Sequence, residues 1–532
     1  MQVVFADNSR AVKAELVATF AANVDELVAI PDSPQDLRTI EKAVVTMLLS
    51  LGRLILGYLF ALRCRRATEK DLSQRGLKAA QVRLRFDADY CASMMTTMGE
   101  VYFPLFAYRE DINGIGSITR TPARDSVVPY RGRCRSSPLC LEWEVRLGAQ
   151  NPFRRAEEEL AFFTHGAATV EDTTISRHLV QVSKLVDRKW TYLGHDEIRE
   201  ILRAHATRDR KNGKPLVYAS CDAHALRRYT DDTWTFEWKM ANGIRLWCED
   251  RDSGEIIHLG GEFTWGDCHE VGRAFAALIE MGILPRKGDY GDGVRAQLVW
   301  VSDAMGWFDE HILRLFPDAI VILDIFHLLR WFAVLGAKLF CAATKRARQL
   351  YAQAASALGF ERVGDRPAKV RHGHKKHPRR GRRHAHNHSA ASRFPGLRHS
   401  GENLVKRLLK ILLGVKTATA AQTEEVEKVV ERLGNNVLRM DYVDYLQRGY
   451  QIGSGAMESL HRSGSQCRTK VPGARWLKET SQAVFNIRMM QLAGKWDEFW
   501  ARPELMSELT AAFASEKTTD GEVAEGPRLI AA

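Results

Sequence analysis

Three acidic residues have the setting that metal-dependent phosphoryl chemistry requires. Asp222 follows the apolar run Leu216-Val-Tyr-Ala-Ser-Cys, Asp303 follows Leu298-Val-Trp-Val-Ser, and Glu458 sits in Gln451-Ile-Gly-Ser-Gly-Ala-Met-Glu. Two carboxylates ending neighbouring strands, with a third on a late helix, could hold a pair of divalent cations beside a phosphodiester. Hard cations take oxygen ligands, and in-line displacement needs those ligands on rigid elements. Each acid alone has a plainer explanation. An Asp after a strand commonly serves a turn or a helix cap. If Ser454 caps a helix, Glu458 falls one step past the capping-box position and is left to face inward, while Gly453 and Gly455 permit close backbone approach. Asp324 competes with Asp303: it too follows an apolar run and opens a helix, which places His327 on the same face three residues on. That pair could contact a scissile phosphate or a flipped base, or could be only a capping Asp with a half-buried His. After Glu458 come Arg462, Arg468, Lys470 and Arg475, interleaved with Trp476. They suit phosphate positioning or a solvated helix face.

Other chemistries find no motif. There is no GxxxxGK[ST] loop, so no nucleotide cofactor is expected, and there is no HExxH, C-x2-C pair or G-x-S-x-G elbow. The nine Cys follow no paired spacing, which points to reduced thiols in a cytoplasmic setting, and no signal peptide is evident. Residues 43–62 are apolar enough to raise a membrane span, but Arg53 near their centre costs roughly 2.5–3.5 kcal/mol on insertion scales. A buried or oligomerising helix is the reading, with no membrane partner. The net charge of +12 is concentrated: the acid-free residues 366–401 hold 11 of the 77 Lys and Arg plus seven His, and the remaining bases nearly balance the 65 acids. Such a segment suits DNA or is a solvated linker.

The elements that must position these acids can be read from periodicity. Residues 215–220, 243–250 and 255–263 predict a three-strand meander, 268–283 a helix, 296–302 a strand, 307–316 a helix, 319–323 a strand, and 326–358 one long helix. The order βββαβαβα is that of a ribonuclease H-like α/β core, a mixed sheet flanked by helices. The 155 residues from Asp303 to Glu458 are too many for a simple connection, so a helical insertion is expected. The resulting division is a helical module at 1–96 and a small β-rich element at 97–150, including a β-prone 141–145. Helices at 151–212 follow, with a candidate helix-turn-helix presenting Ser176, Arg177 and Gln181 to a groove, although two plainly packed helices fit equally. Then come the first part of the core at 213–358, the inserted helical domain with its basic His-rich loop at 359–450, the final core helices carrying Glu458 at 451–502, and a flexible tail at 503–532.

Taken together, Leu216-Val-Tyr-Ala-Ser-Cys-Asp, Leu298-Val-Trp-Val-Ser-Asp-Ala-Met-Gly-Trp, Ile322-Leu-Asp-Ile-Phe-His, and Ile452-Gly-Ser-Gly-Ala-Met-Glu-Ser followed by Gly473-Ala-Arg-Trp resemble the DDE transposases of bacterial insertion sequences. The likeness is to the ISKra and ISLre kind within the Mutator-like group, over roughly residues 214–500. The resemblance implies a catalytic, metal-binding triad at Asp222, Asp303 and Glu458, with Asp324 and His327 as its aspartate–histidine motif. It also implies two Mg2+ or Mn2+ ions, double-stranded DNA partners (the element's terminal inverted repeats and a target) and a homo-oligomer that brings two ends together. The paired N-terminal cysteines common in relatives are absent. A purely hydrolytic ribonuclease H-like nuclease or resolvase, and a catalytically silent DNA-binding derivative, are the alternatives.

Overall fold

The computed structural model describes residues 9–29, 36–77, 83–85, 91–112, 116–123, 134–229, 235–303, 306–360, 362–363, 366–367, 394 and 397–514. Most of the basic His-rich stretch, and the tail beyond 514, lie outside the described residues. The chain is mixed α/β and divides into two compact units. One comprises Met1–Asp187, Cys467–Arg488 and Gly494–Ala532, the other Arg188–Gln466 and Met489–Ala493.

The first unit begins with α1 (Ser9–Val28) and α2 (Asp36–Gln74). By length and composition alone α2 could cross a membrane. One side of it packs on strands: Ala61 and Cys64 share a core with Met94, Val101 and Phe103. Strands β1 (Arg83–Arg85), β2 (Cys91–Thr96), β3 (Gly99–Pro104), β4 (Ala107–Ile112) and β5 (Gly116–Arg120) make a β2–β3 hairpin and a β1-β4-β5 antiparallel sheet. The hairpin runs across residue 96, where the sequence suggested a boundary.

Residues 141–145, read as β-prone, belong instead to the helix Pro138–Gln150. Their alternation is outweighed by start signals just outside the window. Ser137 accepts the Cys140 N–H and proline occupies the first turn. The next helices, Phe153–Phe163 and Asp172–Ser183, pack against it. Gln181 is buried and Arg177 exposed, so a supposed reading residue is committed to packing. The segment 151–212 is also split between the two units at Asp187.

The second unit is built on a five-stranded mixed sheet. Its strands are β6 (Leu216–Tyr229), β7 (Phe236–Glu249), β8 (Ile256–Trp265), β9 (Gln297–Ser302) and β10 (Ile320–Leu323), in the order β10-β9-β6-β7-β8. β7 is antiparallel to β6 and β8, while β9 and β10 run parallel to β6. Alternation sends Val217, Ala219, Ile244 and Leu246 to one face, where Phe275 and Leu278 of the helix Cys268–Glu280 cover them. Leu216, Tyr218, Trp247, Val299 and Val301 point to the other face. There they meet residues of the helices Ile325–Phe340, Lys345–Ala357, Gly401–Leu413 and Tyr442–Arg448. The expected inserted helices therefore share the core of the sheet and lie in its unit. The single helix expected at 326–358 is two, because Cys341 takes φ +64° and Thr344 caps the next by accepting the Ala347 N–H. The meander strands are also longer than expected, so Asp222 lies within β6 and not beyond its end.

A buried clamp anchors the return of the chain to this sheet. Asp209, fully buried, accepts hydrogen bonds from Arg448 (Nη2, 2.7 Å), from the Tyr450 hydroxyl (2.8 Å) and from the Lys211 N–H (2.9 Å). Burial works to raise its carboxyl, but these donors hold it below the usual range. Removing one partner of such a pair strands the other's charge, so Asp209→Ala is expected to cost about 3–5 kcal/mol in urea unfolding. The carboxylate's contribution is present above about pH 4, the ordinary value, and fades as pH falls below it.

Candidate active site

The register of the parallel strands decides which acids meet. Tyr218 pairs with Val299, and Val299 with Ile320. Continuing that register for two pleats puts Asp222, Asp303 and Asp324 in one row, on the face shared by Tyr218 and Val301. Asp222 is held inside β6, its Oδ1 accepting the Ala223 N–H (2.8 Å). Asp303 stands one residue past β9. One ligand atom each from Asp222, Asp303 and His327 lies within 4.8 Å of the others, so a carboxylate pair and an imidazole are gathered at one point.

Asp324 occupies the same row but is saturated. Oδ1 accepts the Phe326 N–H (2.7 Å) and starts the helix Ile325–Phe340, while Oδ2 accepts from His327 Nδ1 (3.1 Å), the Ser454 N–H (2.9 Å) and the Ser454 hydroxyl. With 1% of its side chain exposed, it lies outside the gathered group and orients His327 through Oδ2. Burial would raise the Asp324 carboxyl, yet the His327 and Ser454 hydrogen bonds hold it below the usual range. Burial would lower His327, but Asp324, Asp222 and Asp303 together raise it to about 9. Without a metal ion, these three carboxylates favour the charged imidazolium, a hydrogen-bond donor.

Glu458 arrives on the helix Gly455–Leu460, which runs directly into a π-helical turn, His461–Gln466. Ser454 occupies the cap position, but its hydroxyl is given to Asp324, so the expected side-chain cap is not made. The approach segment is clamped to the sheet by Gln451, which receives the Trp247 Nε1–H (3.0 Å) and donates to Glu249 (2.7 Å). The buried Arg245 guanidinium donates to the Ala456 carbonyl, and burial lowers it to about 10. His461, one turn beyond Glu458, sets its Nε2 3.6 Å from Asp222 Oδ2. Glu458 itself is exposed and is not part of the gathered group.

The proposed DNA-contact residues divide. Arg462, Lys470 and Arg475 are exposed. Arg468 and Trp476 are 3% and 5% exposed, and the Arg468 guanidinium lies between the Phe153 and Trp476 rings and donates to the Gly148 carbonyl. Burial lowers Arg468 to about 10. Those two side chains build the first unit's core, which corrects their assignment to a DNA surface.

No family model matches the chain, and no curated protein matches it. Among solved structures it is similar to a chain of the Drosophila P element transposase strand transfer complex. The identity is 10% and the TM-score 0.30, over 70% of this chain and 94% of that one. At that level the reading of the site rests on its own geometry.

Sequence reasoning took Ser454 for a helix cap and missed its hydrogen bonds to Asp324; it also missed Arg245, His461 and Gly243. Gly243 lies opposite Asp222 in β7, and a Cβ there would stand 2.6 Å from Met457 Cε and 2.7 Å from Phe263. The Gly-Ser-Gly around Ser454 was the available signal, read there only as permissiveness. Asp324→Asn is expected to drop the His327 titration midpoint from about 9 towards the ordinary value near 6.5, read by NMR on metal-free protein. An unmoved midpoint would show that the pair does not set the charge of His327.

Proposed function

We propose that this chain is a DDE-type DNA transposase with a ribonuclease H-like core, cutting the ends of a bacterial insertion sequence and joining them to target DNA. The observation that carries the reading is the convergence of Asp222 and Asp303, from adjacent parallel strands, with His327. The sheet supports the core assignment: an antiparallel meander, β6 to β8, is continued on the far side of β6 by two parallel strands.

The donor set fits Mg2+ or Mn2+, because two carboxylates fixed by a pleated backbone offer hard oxygens at one point. Bound there, a pair of such ions would supply activation of water or of a 3′ hydroxyl and neutralise charge at the leaving oxygen. Asp222 and Asp303 would hold them, and Glu458 would complete the set from the first turn of its helix. His327, charged and oriented by Asp324, would donate to a phosphate oxygen in the manner of a charge-assisted hydrogen bond. Arg462, Lys470 and Arg475 would meet the DNA backbone. Joining two ends implies a homo-oligomer working on DNA in the cytoplasm, at the nucleoid.

Glu458 outside the gathered group favours a second reading, a catalytically silent DNA-binding derivative. One assay separates the readings: end cleavage and plasmid integration with Mg2+ or Mn2+. Asp222→Asn and Asp303→Asn are each expected to lower cleavage by about 10²–10³-fold or more while end binding persists. Cleavage without integration would mark a hydrolytic nuclease. End binding by the unaltered protein with no metal-dependent cleavage would mark the silent derivative.

A further inference from the structure

Across the sheet from the gathered acids, a different donor set comes together. The helix Cys268–Glu280 is started by Asp267, whose Oδ1 accepts the N–H groups of His269 (2.9 Å) and Glu270 (3.4 Å). That cap fixes the first turn and with it Cys268 and His269. The helix Gly306–Leu315 packs alongside and delivers His311. The two imidazole rings stand edge to face with centroids 5.4 Å apart, and one ligand atom from each of Cys268, His269 and His311 lies within 4.8 Å of the other two. Among the described residues no hydrogen bond engages the Cys268 thiol or either ring. Cys268 and His311 are half-buried and His269 is exposed, so the group is both supported and reachable.

We propose that Cys268, His269 and His311 bind a zinc ion. A thiolate and two imidazoles are the donors that Zn2+ selects over Mg2+ or Ca2+, which take oxygen. Tetrahedral zinc with sulfur at about 2.3 Å and nitrogen at about 2.0–2.1 Å places neighbouring donors about 3.3–3.6 Å apart. The present separations, all within 4.8 Å, are wider than that, so the three donors would draw together on the ion. Two adjacent imidazoles repel when both are protonated, whereas a shared cation uses both in the neutral form. Binding releases the Cys268 thiol proton to solvent and leaves a fourth position for water. The ion would fasten the helix Gly306–Leu315, which begins three residues after Asp303, to the helix that follows β8. It is a positioning site, and the inference stands whether or not the chain is a transposase.

The test is a Co2+ titration of metal-free, untagged full-length protein, with Zn2+ as competitor. The His-rich segment at 371–388 offers further imidazoles but contains no Cys, so the thiolate-to-cobalt charge-transfer band in the near ultraviolet reports ligation by a thiolate, and the Cys268→Ser variant assigns it to the proposed site. One equivalent of this band, displaced by Zn2+, is expected. It should be lost in Cys268→Ser, weakened at least tenfold in affinity in His311→Ala, and intact in Asp222→Asn and Cys341→Ser. Zn2+ should raise the thermal midpoint of the unaltered protein and not that of Cys268→Ser, whose metal-free midpoint and circular dichroism should match the unaltered protein. No band with stoichiometric Co2+, or a band that survives Cys268→Ser, would overturn the proposal.

Discussion

The carboxylate of Asp324 is the point on which the candidate site turns. It is buried beyond the end of β10 and receives four hydrogen bonds: one from the helix it starts, one from His327 on that helix, and two from Ser454, 130 residues later in the chain. A buried carboxylate missing a partner is costly by several kcal/mol, so these bonds form together or the arrangement fails. The orientation of an imidazole and the docking of the segment leading to Glu458 are thereby one event. Sequence distance is closed by a charge that cannot be left unsatisfied.

Close approach is the second requirement. The helix carrying Glu458 and its π-helical continuation lie on β7 and β8 where side chains are missing. A Cβ at Gly243 would strike Met457 and Phe263, one at Gly453 would strike Phe326, and one at Gly464 would strike Met489 and Phe263. The π-helical turn widens the coil by one residue per turn where it passes Asp222, and such turns recur at functional sites. Its first residue, His461, is the one that stands beside the carboxylate.

Much of this was legible because strand alternation is a local signal. The succession of core elements along the chain followed from periodicity, and Asp222 and Asp303 drew notice as a pair because each comes after an apolar run. What could not be read was set by partners distant in the chain. β6 and β7 continue past Asp222 through Arg227, Arg228 and Trp238, residues that a hydropathy pattern treats as loop but that pair across the ribbon. The helix break at Cys341 carries no Gly or Pro to announce it. The basic residues after Glu458 look alike in sequence, yet Arg468 is stacked between two aromatic rings while Arg462 faces solvent, and only tertiary packing tells them apart. His461 carried no motif, and its place beside Asp222 exists only once the helix is laid on the sheet.

Asp222 sits in mid-strand, with seven residues of β6 still to come. Its height above the sheet is set by the pleat and by its pairing with Gly243 of β7, not by whatever joins the two strands at the far end. The outer ribbon can therefore lengthen, shorten or change its side chains while the carboxylate keeps its position. The far end of the ribbon and the place of this carboxylate are mechanically uncoupled.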